Sequence, residues 1–138
     1  MAGILTAAGK HLIAEMIFNL DTTDREATMK MGLFTNSSGL SAASVLGDIT
    51  VPTGTGYAAA TLADADWTVT LGVATHVKKT FTAGAGGWTG AIYGYYIYSV
   101  AAGGTPRLMF YEIDTNQLAP YTLVENDSYE VTSTVTVS

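Results

Sequence analysis

The sequence contains no cysteine and few charged residues. Lysine and arginine together number 6 and aspartate and glutamate 12 among 138 residues, so the charged fraction is 13%. Soluble domains usually contain roughly 25% charged residues. Without cysteine, the chain can form neither a disulfide nor a cysteine-ligated zinc or iron–sulfur site. The net charge of −6 also disfavours non-specific binding to nucleic acid, because phosphate groups repel an acidic surface.

Long apolar runs are absent as well. The longest one, residues 91–102, contains Gly94 and Ser99 and is too short to span a bilayer. Residues 1–6 have no basic residue ahead of their apolar ones, so they do not resemble a signal peptide. Disordered tails combine low hydrophobicity with high charge, whereas this chain is 48% hydrophobic. We therefore expect a soluble protein in which residues 1–138 form a single β-sandwich domain.

Small uncharged residues are abundant instead, with 21 threonines, 19 alanines and 15 glycines. The acidic residues fall mainly in predicted turns, so the solvent-facing sides of the strands must consist mostly of uncharged residues. Such faces have little like-charge repulsion to oppose association. On composition alone, a surface that partners cover and an ordinary neutral β domain fit this pattern equally well. We interpret the threonine-rich strand faces as the functional surface.

The first segment is predicted to be helical, because its apolar residues between Leu5 and Leu20 have the spacing of one face of an amphipathic helix. Thr6 is a suitable N-cap, because its hydroxyl can accept a hydrogen bond from a free amide of the first turn. The polar residues 21–24 end the helix. We expect residues 1–24 to form a helical arm whose apolar face includes Leu12, Ile13 and Met16.

After this arm the pattern changes to the alternation typical of strands. One stretch, residues 91–100, is apolar on both faces and is predicted to lie in the middle of a sheet. Residues 36–56 form a long loop, and loops of this length in compact domains are usually functional or disordered. The fold class predicted is mainly β, an antiparallel β-sandwich or jelly-roll-like domain with one N-terminal α-helix. The predicted strands are 27–35, 57–62, 67–71, 73–81, 91–100, 107–113, 119–124 and 129–137.

The sequence has two histidines, His11 and His76. His11 lies on the polar side of the predicted helix, and His76 is followed closely by Lys78 and Lys79 in a predicted strand. We therefore expect His76 at the surface. No Gly-x-Ser-x-Gly motif is present, so the sequence gives no support for a serine–histidine catalytic arrangement.

Two acidic residues, Asp64 and Asp66, precede Trp67. On an extended chain, residues two apart face the same side, so these carboxylates could share a cation or act in acid–base chemistry. No second acidic cluster lies close in sequence, and a solvated turn is the better interpretation. We expect no catalytic residue, no cofactor and no bound metal.

Five aromatic residues are concentrated within eleven positions: Trp88, Tyr93, Tyr95, Tyr96 and Tyr98. An exposed aromatic row could stack on sugar rings, and aromatic side chains are also common in subunit interfaces and in sandwich cores. Because both faces of this stretch are apolar, we favour the core. The subunit interface and the sugar platform stay open as alternatives.

Several short motifs follow one another along the chain: LTAAGK at 5–10, MGLFTN at 31–36, GYA at 56–58, Trp67, FT at 81–82, Trp88 and IYGYYI at 92–97. In this order they resemble small structural proteins of tailed bacteriophages. The resemblance extends over roughly residues 4–113 and implies a non-enzymatic β domain that assembles on the phage particle. A capsid decoration (cement) protein is one such role, and a tail-associated or receptor- or carbohydrate-binding module is another.

The resemblance also implies partners and a location. We expect the chain to bind the major capsid protein and other copies of itself, as a homotrimer, and to bind neither nucleic acid nor membrane. It would be made in the host cytoplasm and would lie on the exterior of the virion. The residues predicted to contact partners are Leu12, Ile13, Met16, Trp88, Tyr93 and Tyr95.

Overall fold

The computed structural model of the chain describes residues 3–10, 26–101, 105–115 and 120–136. Residues 7–10 are helical, and two short 3-10 helices span Leu46–Asp48 and Asp64–Asp66. The strands are β1 (Ile4–Leu5), β2 (Glu26–Phe34), β3 (Thr53–Gly54), β4 (Ala60–Leu62), β5 (Trp67–Thr70), β6 (Val73–His76), β7 (Lys79–Thr82), β8 (Trp88–Thr89), β9 (Gly94–Ala101), β10 (Arg107–Ile113), β11 (Ser128–Val131) and β12 (Thr134–Thr136).

The largest sheet is antiparallel and has the strand order β1-β10-β9-β2-β4. Strand β9 lies in the middle, as predicted, and its tyrosines and isoleucine are apolar enough to be covered on both sides. The predicted fold class is confirmed: the protein is mainly β, with antiparallel sheets in a sandwich-like arrangement and a short helix near the N-terminus.

A long antiparallel ribbon forms the second layer. Strand β7 pairs with β11, and β6 pairs with β12, while β5 pairs with the outer side of β6. Between the partner pairs Thr75↔Thr134 and Lys79↔Val131, three residues of one strand face two of the other. This extra residue is a β-bulge, which bends a strand and increases its twist. The predicted single strands 73–81 and 129–137 are therefore each divided into two.

The main hydrophobic core lies between these two layers. The central sheet contributes Met31 and Leu33 from β2 and Ile97 from β9, and the ribbon contributes Phe81 and Val131. These side chains are buried, as expected where strands from two sheets face each other.

The other face of the central sheet has its own, smaller core. The loop of residues 36–56 covers this face, so it packs on the chain's own sheet. The buried side chains are Phe34, Tyr96, Leu108 and Tyr111, and the loop residues packed against them are Leu40, Leu46, Ile49 and Val51.

The N-terminal segment attaches to the edge strand β10. Thr6 caps the helical turn as predicted, because its Oγ1 accepts a hydrogen bond of 3.1 Å from the Gly9 N–H. The same hydroxyl donates to the backbone oxygen of Leu108, and the side chain is fully buried. The rest of the predicted arm, including His11, Leu12, Ile13 and Met16, lies outside the described residues.

Replacing Thr6 should test this attachment. In Thr6→Ala, the buried Leu108 carbonyl and the Gly9 N–H lose their partner, so we expect the free energy of unfolding to fall by about 1–3 kcal/mol. Urea unfolding followed by fluorescence measures this change. Thr6→Ser keeps the hydroxyl and is the matched control, with a smaller loss expected. Equal stability of the two variants would contradict the assigned role.

Candidate functional site

The outer side of the sheet formed by β5, β6 and β12 is rich in threonine. Residues paired across antiparallel strands share a face, and so do residues two apart in one strand. The pairing register places Thr68, Thr75 and Thr134 in one row across the sheet. The next row consists of Thr70, Val73 and Thr136. We call these six residues the threonine face.

The threonine face points away from the core. On the opposite side of the same strands, Trp67 and Val135 pack against the main core, and His76 is buried. Strict alternation along the strands then directs the threonines outward. Four of them, Thr68, Thr70, Thr134 and Thr136, are exposed. None of the six residues has a charge, so the face has the composition predicted for a functional surface.

The hairpin between β5 and β6 has an unusual tip. Its two loop residues, Leu71 and Gly72, both have positive φ, 51° and 79°. Tight turns of this kind favour asparagine and glycine, because a side chain such as leucine is strained in the left-handed region. Leu71 is nonetheless present and is 99% exposed. Val69, on the strand leading to the tip, is 70% exposed.

The position predicted for His76 is wrong. The side chain is only 1% exposed, and its ring stacks edge-on against Trp67 with the ring centroids 4.8 Å apart. The Nδ1 atom lies 2.7 Å from the backbone oxygen of Val77, so Nδ1 donates a hydrogen bond to that carbonyl, which can only accept one. The β-bulge explains the error: it breaks the alternation between His76 and Lys78, so His76 faces the core while Lys78 points outward and pairs with Glu130 at 2.9 Å.

Asp64 and Asp66 do not form an extended carboxylate pair. Both lie in a 3-10 helix, where residues two apart point in different directions. Asp66 Oδ2 is 3.5 Å from Lys79 Nζ and 3.9 Å from His76 Nε2, whereas Asp64 is exposed. Among the residues that the structure describes, no three histidine or acidic side chains come close enough together to hold a metal ion.

The aromatic cluster belongs to the interior, as favoured from the sequence. Trp88 is only 4% exposed, its indole N–H donates to the Thr55 oxygen at 3.0 Å, and its ring meets Tyr57 edge-on. Tyr95 is also buried, and Tyr93 is half-buried. The role of Trp88, Tyr93 and Tyr95 in a partner interface stays a prediction.

Two tyrosine–carboxylate pairs that the sequence did not predict line a shallow depression of about 160 Å³. Tyr95 donates to Glu112 Oε2 at 2.9 Å, and Tyr129 donates to Asp114. Burial is the main cause that raises the pKa of both phenols, and the neighbouring carboxylates raise it further. The phenols therefore act as neutral hydrogen-bond donors that hold β10 to β9 and to the ribbon.

Comparisons with known protein families, with curated proteins and with solved structures found no match for this chain. In the described ranges, no helix has the length and apolar character needed to cross a membrane. The geometry and the composition of the threonine face make it the candidate functional site.

Replacing Leu71 should separate backbone strain from side-chain packing. We expect Leu71→Asn to raise the free energy of unfolding by about 1 kcal/mol, because asparagine tolerates the left-handed backbone of this turn. Chemical denaturation measures the difference. Leu71→Ala keeps the strain while removing the exposed side chain, so it should leave stability nearly unchanged. The prediction would be contradicted if Leu71→Ala raised the free energy of unfolding and Leu71→Asn left it unchanged.

Alkaline pH should destabilise the protein. Burial raises the pKa of Tyr95, Tyr96 and Tyr129, so the folded state keeps these protons above pH 10, where unfolded tyrosines lose theirs. The unfolded state then binds fewer protons, so the stability that these tyrosines contribute is constant below about pH 9 and falls above about pH 10.

Urea unfolding between about pH 8 and 11.5, with phenolate absorbance recorded in parallel, tests this sign. The buried phenols should ionise together with loss of structure. The contrary result would be that all tyrosines ionise near the pKa of free tyrosine while the protein keeps its stability.

Proposed function

We propose that this chain is a non-enzymatic structural protein of a phage virion, namely a decoration protein that binds across neighbouring capsid subunits. The observation that carries the proposal is the threonine face: an outward, uncharged sheet surface on a chain whose net charge is −6. The order of sequence motifs that resembles tailed-phage structural proteins supports the same role. Its location would be the exterior of the particle.

The chemistry of the threonine face suits a surface that becomes buried. Charged groups are expensive to dehydrate, and the centres of protein interfaces are depleted of them. Threonine supplies a methyl group for apolar contact and a hydroxyl that can bond to a partner's backbone. Its branched side chain is also stiff, so little rotamer freedom is lost on binding.

A protein bound across two subunits strengthens the particle by mass action. It binds the assembled state and not the separated subunits, so it stabilises the assembled state according to its concentration and affinity. No reaction is required for this function. The major capsid protein and further copies of the chain are the proposed partners.

The alternative predicted from the sequence is a tail-associated or carbohydrate-binding module. Its sugar-binding form relied on Trp88 and the neighbouring tyrosines, and the burial of the Trp88 indole argues against it. A tail-associated role would use the same threonine face. Separate purification of heads and tails, followed by mass spectrometry, distinguishes the two locations.

The experiment uses particles of the phage that encodes the chain, stripped of this protein and mixed with purified variants. We expect Thr70→Glu/Thr136→Glu to weaken binding to heads at least about tenfold, because two carboxylates must then be dehydrated. Thr70 and Thr136 are exposed ends of the same row. Co-sedimentation of variant with heads measures the affinity.

Thr122→Glu is the matched control, since Thr122 is exposed and lies outside the threonine face. It should bind as the unmodified chain does. Absence of the chain from purified virions would refute the proposed function. Presence of the chain, with equal binding of the double variant, would refute the threonine face as its docking surface.

A further inference from the structure

Strand β5 is the outer strand of its sheet, and no described strand pairs with its far side. Its hydrogen-bonding direction follows from the register with β6. The pair Thr70↔Val73 closes the two-residue turn and exchanges hydrogen bonds, and the pairs then alternate along an antiparallel ladder. The bond from the Val77 N–H to the Asp66 oxygen fits this alternation. Consequently, the N–H and C=O of Val69 point outward.

Two other strand edges of this protein are covered by described residues. Strand β2 extends beyond the residues that pair with the short strand β4. There, the Tyr57 hydroxyl bonds to both the N–H and the C=O of Leu33, each at 3.0 Å. On the opposite edge, β1 and Thr6 bond to β10. Strand β5 lacks such cover in the part of the chain that the structure describes.

Strand β5 also lacks the features that protect natural sheet edges. Edges are commonly protected by lysine, by proline or by an inward charge. Residues 67–75 contain no charged residue and no proline. Val69, at the centre of the edge, is 70% exposed. Valine also favours strands strongly, so its presence at this edge suits pairing with another strand. The edge is therefore open to a further strand that is itself short, extended and uncharged.

We propose that a second copy of this chain pairs with β5 in antiparallel orientation, about a two-fold axis at Val69. Two-fold pairing brings identical edges together, so each outward Val69 N–H meets the carbonyl of the partner's Val69. Thr68 then lies opposite the partner's Thr70, the turn residue Leu71 comes next to the partner's Trp67, and two exposed valines cover each other. The paired sheets join into one, and the two threonine faces become a single continuous surface.

The charge distribution permits a second copy at this place, because residues 67–75 contain no charged residue. Each copy has a net charge of −6, so like-charge repulsion opposes contact between most parts of their surfaces. In the two-fold register, Asp66 lies opposite the partner's Gly72, and no carboxylate faces another carboxylate. Each copy contributes few residues, so the area is small and we expect a reversible dimer with a dissociation constant in the micromolar range or weaker. This inference does not depend on the proposed virion role, and its two-fold dimer differs from the homotrimer that the sequence resemblance implies.

Sedimentation velocity of the full chain at increasing concentration tests the inference. We expect a concentration-dependent shift from one to two chains per particle. Val69→Lys places a charge at the centre of the edge and should raise the dissociation constant at least tenfold. Val124→Lys is the matched control, because Val124 is 61% exposed and lies away from β5, and it should change the constant less than twofold.

Two further measurements test the register and the charge balance of the dimer. Leu71→Lys alters a side chain that is 99% exposed, so it keeps the fold, and it should weaken pairing at least threefold. Raising NaCl from about 0.05 to about 0.5 M should strengthen the dimer, because salt screens the repulsion between two acidic chains. A monomer at every concentration, a trimer, or an equally stable dimer in Val69→Lys would overturn the inference.

Discussion

Burial of strand β9 on both of its faces is the constraint on which the other elements depend. Ile97 points to one face and Tyr96 to the other, so each face of the central sheet needs its own cover. The β6–β7 and β11–β12 ribbon covers the first face, and the loop 36–56 covers the second. The threonine face is a consequence, because the inner side of the ribbon contacts the core and only the outer side is left for solvent or partners.

Local patterns were sufficient for much of this fold. The double-sided apolar stretch placed β9 in the middle of a sheet, and a cap residue ahead of small helix formers identified Thr6. The environment of His76 could not be predicted in this way. Its side chain faces the core while that of Lys78 faces solvent because of a one-residue mismatch with a strand more than fifty positions later, and nothing near His76 in sequence marks that mismatch.

Local patterns likewise predicted only part of the candidate site. Low charge and abundant threonine predicted that uncharged strand faces exist, and alternation shows that Thr68 and Thr70 share a side. Only the register reveals that Thr134 and Thr136 continue the same rows. The tyrosine–carboxylate pairs gave no sequence signal, because each joins residues 15 or 17 positions apart that meet only when the sheet forms.

The edge strand β1 has a consequence for how the chain reaches this structure. Ile4 and Leu5 pair with Tyr111 and Phe110, and Thr6 bonds to a residue 102 positions away. Strand β1 therefore has no partner until β10 has been synthesised, and the same two strands must meet during refolding. Contacts of such large sequence separation slow folding, because the chain loses the entropy of a long loop before the contacts form. Completion of the central sheet is thus a late event that requires more than a hundred residues of chain to be present.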